Sequence, residues 1–192
     1  MNALLSSTCV LACVLWSEPA PAQADAAAAA SVPDCVLVLG QGRNAGDAAT
    51  DSLWDGINVS FNAQVAATLA AAGEHVVPLV AHVAAGNVAA NLRVALQRAA
   101  AAGCRRLVET TVYADGDSHA LVARLRGYPL IDEATDGGAL SLRVGASNYD
   151  NQRQFELDRS TLDRVRPAVL GAEMAAEWVR HTIAEHALPR GR

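Results

Sequence analysis

Apolar residues in the first half of the chain fall alternately into short unbroken runs and helical stripes. Val36–Leu39 is a continuous apolar run, the pattern of a strand buried on both faces. A polar stretch from Gln41 to Asp55 follows, with glycines at 40, 42, 46 and 56. Ile57, Phe61, Val65 and Leu69 then recur every four residues, which predicts an amphipathic helix closed by Gly73. His75–Val80 is a second apolar run, and Pro78, which has no N–H to give, predicts an edge strand. Asn87 is a candidate N-cap, Val88, Leu92, Leu96 and Ala99 form the next stripe, and Gly103 stops it. Cys104–Tyr113 reads as the third strand.

Two βαβ crossovers in succession account for this half. Right-handed connections on opposite sides place the first strand between the second and third, in the order 2-1-3. The second half changes character. Asp115–Ser118 reads as a turn, and Ala120–Ile131 as an extended segment in which Leu121, Ala123 and Leu125 alternate with Val122, Arg124 and Arg126. Asp136-Gly137-Gly138 is a hairpin signal, followed by alternation through Leu140, Leu142 and Val144. Asn148–Asp158 reads as a polar loop. A last helix is expected from about Val165 to Ala187, with Val169, Met174, Trp178 and Ile183 as candidates for its buried face. The fold class is a small three-layer α/β sandwich. Its mixed sheet has a parallel βαβαβ half, then an antiparallel hairpin and a C-terminal helix.

The N-terminus changes the compartment. Ala3–Trp16 is an apolar run without charge, too short to span a bilayer, and Ala20–Ala24 offers small-x-small cleavage sites. This is the pattern of a secretory signal peptide over 1–24, with a linker over 25–33 and a single domain over 34–192. A second reading is a lipoprotein signal, since Val10-Leu11-Ala12-Cys13 is similar to a lipobox that would lipidate Cys13. Either route exports the protein to the periplasm or beyond, or leaves it anchored by lipid in the outer membrane. Export leaves Cys35 and Cys104 as an even pair in an oxidising compartment. Both precede strands expected side by side and parallel, so their Cα atoms fall within disulfide range.

Charge and motifs narrow the function. All 15 Lys-plus-Arg residues are arginine, yet the net charge is −5, which argues against a nucleic-acid binder that works by neutralising phosphate. Gly40-x-Gly42-x-x-x-Gly46 after a strand invites a dinucleotide reading. It lacks a prompt apolar helix and an acidic residue ending the second strand, so no cofactor is expected. Asp115, Asp117 and His119 match no standard metal spacing, and no Gly-x-Ser-x-Gly elbow is present. Arg124, Arg126 and Arg143 are expected on one side of the hairpin, as a cationic strip that would dock an acidic partner.

Several stretches carry a resemblance. Asn62–Leu79 is similar to a "helix, small-small-Gly, two residues, apolar strand" unit, and Asn91–Val108 to an "Ala-x-x-x-Gly-Cys-x-x-Leu-Val" unit. Leu130–Gly137 is similar to an "apolar-Asp-x-x-Thr-Gly" hairpin turn. With a terminal helix, these resemble the small α/β domains of bacterial envelope proteins such as CsgG, the N-terminal domain of TolB, and related lipoproteins of unknown function. The resemblance implies an envelope location and a non-enzymatic, protein-binding role. The partner would be another envelope protein, and the membrane would be touched only through a lipid anchor. The alternative is an extracytoplasmic hydrolase using the Gly40–Asp55 loop and the Asp115–His119 turn.

Overall fold

The computed structural model describes residues 35–42, 48–81, 87–134, 140–158 and 160–187. Cys13, the signal segment, the whole linker, Gly46 and the Asp136–Gly138 turn lie outside them. The elements run β1 (Cys35–Gln41), α1 (Ala48–Ala71), β2 (His75–Ala81), α2 (Val88–Ala102), β3 (Cys104–Asp115) and β4 (Ala120–Ala134). They continue through β5 (Leu140–Val144), β6 (Tyr149–Glu156), the single turn α3 (Thr161–Arg164) and α4 (Pro167–Ala187).

The strands form one mixed sheet in the order β2-β1-β3-β4-β5, with β6 also on β4. β1 is parallel to both β2 and β3, which is the 2-1-3 order the crossovers require. β3 and β4 make a long antiparallel hairpin. β5 and β6 pair antiparallel with successive stretches of β4. Between them the Gly145 N–H donates to the Pro129 carbonyl and the Asn148 N–H to the Gly127 carbonyl, so the chain never leaves β4. There Gly145–Asn148 bulges opposite Tyr128 and Pro129.

Strand alternation builds two cores. Val36, Val38, Val108, Val112, Leu121 and Leu125 face α1 and α4, where Phe61, Val65, Leu69, Met174 and Trp178 are buried. Cys35, Leu37, Leu39, Cys104, Leu107 and Leu130 face α2, which offers only Ala95 and Ala99 as fully buried contacts. The first core is therefore the thicker, and each of its large side chains contributes about 1.5–3 kcal/mol by burial. Asn87 caps α2 by accepting from the Ala90 N–H at 3.0 Å. Gly103 ends that helix with φ 74°.

A buried amide continues the sheet where β1 stops. β1 pairs with β3 only as far as Gly40↔Thr110. One turn of α1 then takes over: Asn58 Oδ1 accepts from the Val112 N–H at 2.7 Å, and its Nδ2 donates to the Val112 carbonyl at 2.8 Å. Asn62 does related work nearby, donating to Thr110 Oγ1 at 3.0 Å. The two cysteines stand opposite each other in the β1–β3 register, both 1% exposed, and are joined by a disulfide.

Four expectations need correction. α1 starts at Ala48, so Ala48–Asp55 is helix and not loop; Trp54, buried three residues before Ile57, extends the stripe backwards. β4 runs on to Ala134. Asn148–Asp158 is mostly strand: in β6 the odd positions are half-buried and the even ones exposed. Two of those inward positions, Asn151 and Arg153, are polar and bond to Glu177 of α4, so no apolar alternation marks the strand. On α4, Val169 and Ile183 are 52% and 64% exposed, because the buried stripe is Leu170, Met174 and Trp178.

Candidate functional site

Ligands of open α/β sheets bind beyond the carboxyl ends of the parallel strands. In this chain that position holds a cleft of about 230 Å³ between Gln41, Glu109, Arg126 and Tyr128 on the sheet side and Val88 and Leu92 of α2. Glu109 is its hub. It accepts from Gln41 Nε2 and, at 3.1 Å, from the Tyr128 hydroxyl, and pairs with Arg126 Nε at 3.4 Å. Burial pushes the Tyr128 hydroxyl pKa up and the Glu109 charge adds to it, so Tyr128 keeps the proton it donates. Glu109 thus satisfies Gln41 and Tyr128, whereas the buried Arg126 Nε only faces its charge and makes no hydrogen bond among the described residues.

Gly40, the first glycine of the motif, serves packing. A Cβ on Gly40 would come within 2.9 Å of the Asn62 side chain, so this position takes no larger residue while Asn62 reaches Thr110. The Asp115–His119 turn closes the β3–β4 hairpin. Asp115 accepts from the Ser118 hydroxyl at 2.6 Å and from the Asp117 N–H at 3.4 Å. His119 is exposed at φ 49°, the left-handed backbone such a tight connection requires. Among the described residues, no three His, Cys, Asp or Glu side chains gather to hold a metal.

The expected arginine strip does not form as one surface. Arg143 pairs in register with Ile131, an odd position of β4, whereas Arg124 and Arg126 occupy even positions. Odd residues of β4 face the α1–α4 core and Leu130 faces α2, so Arg143 lies on the opposite face from the other two. Each arginine also has its own carboxylate. Arg124 binds Asp150 at 3.1 and 2.5 Å, Arg126 binds Glu109, and Arg143 lies 3.9 Å from Glu133. The hydrogen bond from Arg124 holds the Asp150 carboxyl below the usual range, and Asp150 in turn raises Arg124.

A second and larger cleft, about 370 Å³, lies where α4 crosses the β5–β6 bulge. Its wall is Trp178, whose Nε1 would be only 3.0 Å from a Cβ on Gly127. The Arg106 guanidinium sits 5.5 Å from the centre of the Trp178 ring and grips Glu74 through two bonds of 3.0 and 2.6 Å. The Tyr149 and His181 rings stand 5.0 Å apart at the same opening. Sequence reasoning missed this cleft. The available signal was Gly127, a glycine inside a strand, which marks close approach by another group.

These features define a three-layer mixed α/β domain with a disulfide at the start of its central strand and a cleft beside a bulged edge. No protein-family model matches the chain, and no curated protein matches it. Among solved structures it is similar to lipoprotein GNA1162 from Neisseria meningitidis, at 16% identity and a TM-score of 0.38. That match covers 81% of this chain and 100% of the other. Among the described residues, no helix is long and apolar enough to cross a membrane.

Proposed function

We propose that this chain is an exported envelope protein whose domain binds another envelope protein and carries out no chemistry of its own. The observation that carries the reading is the open edge of β6. β6 pairs only with β4, so the backbone groups along its other side, Tyr149–Glu156, face outward without a strand partner among the described residues. No proline blunts it, whereas the opposite edge of the sheet, β2, carries Pro78. Such an edge takes an extended segment of a partner by strand addition. The buried Cys35–Cys104 disulfide supports an oxidising compartment. The signal-like N-terminus and the CsgG- and TolB-like order of elements support the envelope and leave lipidation at Cys13 as its anchoring variant.

The test is photo-crosslinking in intact envelope from Gln152 and Gln154, exposed on β6, with Gln97 of α2 as the control position. One discrete protein adduct from the β6 positions is the expected result. No adduct, together with turnover of a small ester or amide by the purified chain, would reverse the reading in favour of a hydrolase.

A further inference from the structure

The open edge of β6 carries a pattern that reads the same from both ends. The Leu157 N–H donates to the His119 carbonyl at 2.8 Å, which fixes the alternation of this antiparallel pair. Odd residues of β6 therefore turn their backbone groups towards β4, and even residues turn theirs outward. Glu156 obeys the rule: its carbonyl accepts from the Thr161 hydroxyl at 2.7 Å, which closes the C-terminal end of the edge. Asp150, Gln152 and Gln154 remain, each with an outward N–H and C=O that meet no partner among the described residues. Gln152 stands at their centre. Beside the edge, on the α4 side, Phe155, Val165 and Val169 line a groove of about 220 Å³, and Val169 is 52% exposed there.

We infer that this edge is a homodimer seam, in which β6 of a second copy pairs antiparallel across a two-fold axis at Gln152. That register sets Gln152 opposite Gln152 and Asp150 opposite Gln154 of the second copy, so all the outward backbone groups of these three residues find partners. The side chains agree with it. No like charges meet on the exposed face. On the α4 face Asn151 lies opposite Arg153, and Tyr149 opposite Phe155, where it adds apolar surface to the groove beside Val169. The neighbouring registers fail. Centring the seam on Arg153 would set two arginines face to face and Asp150 against Glu156, whose carbonyl is already taken. Centring it on Asn151 would set Gln154 against the bulge at Asn148. Pairing also covers an edge that neither proline nor lysine protects. The proposal rests on the strand-addition reading of β6 and names the partner as a second copy of this chain.

Sedimentation velocity of the full purified chain reads the association. The seam is short, so reversible dimerisation is expected on the order of 10 µM. Gln152 is exposed, so its charge variants leave the packing of the monomer untouched. Gln152→Glu and Gln152→Arg each bring like charges together across the axis and should weaken association about tenfold. An equimolar mixture of the two restores opposite charges at that point. It should associate at least as tightly as the wild type, and added salt should remove the advantage over the single variants. A contact elsewhere on the surface, or in another register, gives no such rescue. A chain that stays monomeric up to about 1 mM, or a mixture no tighter than the single variants, overturns the proposal. In intact envelope a photo-crosslinker at Gln152 should give an adduct of twice the chain's mass. An adduct with a different protein would leave strand addition at β6 standing and sink the second copy.

Discussion

Single residues in this domain act mainly by completing backbone hydrogen bonding. Asn58 imitates one further residue of β1, giving Val112 both an acceptor and a donor. Asn58→Leu keeps the volume and orphans both groups, each at about 1–3 kcal/mol, so urea unfolding should show a loss of about 2–4 kcal/mol with an unchanged slope. Asn58→Asp can still accept from Val112 but cannot donate when ionised; its deficit should therefore shrink as the pH falls and the buried carboxyl takes up a proton. Asp158 shows the opposite sign. Bonds from the Ser160 side chain and N–H, then from Thr161 and Arg164, lower its pKa to about 2. A depressed carboxyl stabilises the fold above its unfolded pKa, and that contribution is lost as the pH falls through about 2. Asp158→Asn should flatten the acid limb of the stability curve between about pH 4 and pH 2, and a wild-type Asp158 side chain titrating near 4 by NMR would contradict the assignment.

At the scale of elements, glycine positions separate packing from propensity. Gly171 lets α4 lie against α1: a Cβ there would be 2.8 Å from the Phe61 carbonyl oxygen, a backbone atom that cannot swing aside. Gly171→Ala should lower stability by about 1–3 kcal/mol even though alanine is the better helix former. Gly56 lies within α1 with nothing within 4 Å of its would-be Cβ. Gly56→Ala should raise stability by about 0.5–1 kcal/mol, so the thermal midpoints of the two variants should move in opposite directions. The same division governs what the sequence disclosed. β1, β2, the α1 stripe from Ile57, and α2 with its cap and glycine stop were legible because their apolar residues come in unbroken runs or at helical spacing. β6 was not, because Asn151 and Arg153 turn inward and are satisfied by Glu173 and Glu177 on α4, some 20 residues later. The first turns of α1 were hidden by Thr50, Asp51 and Ser52, although Trp54 carried the period. The arginine strip failed for a register reason: alternation was legible on each strand, but which residue of β4 faces Arg143 depends on a turn outside the described residues.

On the scale of the whole molecule, the disulfide joins the two parallel strands on which the rest of the sheet is hung. It closes a separation of 69 residues that contains α1, β2 and α2, so it restricts the unfolded chain over the entire parallel half. In the chain-entropy model a loop of that length is worth on the order of 4 kcal/mol. Cys35→Ala with Cys104→Ala should lower the free energy of unfolding by about 3–5 kcal/mol while keeping the sheet, since both positions are packed among Leu37, Leu107 and Ala99. Burial adds a kinetic expectation. Both cysteines are 1% exposed and lie in register on adjacent strands, so a reductant reaches the bond only when β1 and β3 part. Those strands form the centre of the sheet, and parting them amounts to unfolding it. The rate of reduction by dithiothreitol should therefore saturate with reductant at the global unfolding rate and rise with urea as steeply as unfolding does. Reduction that is fast in buffer and insensitive to urea would mean that the start of β1 opens locally, and the disulfide would then hold only the strand end and not the parallel half.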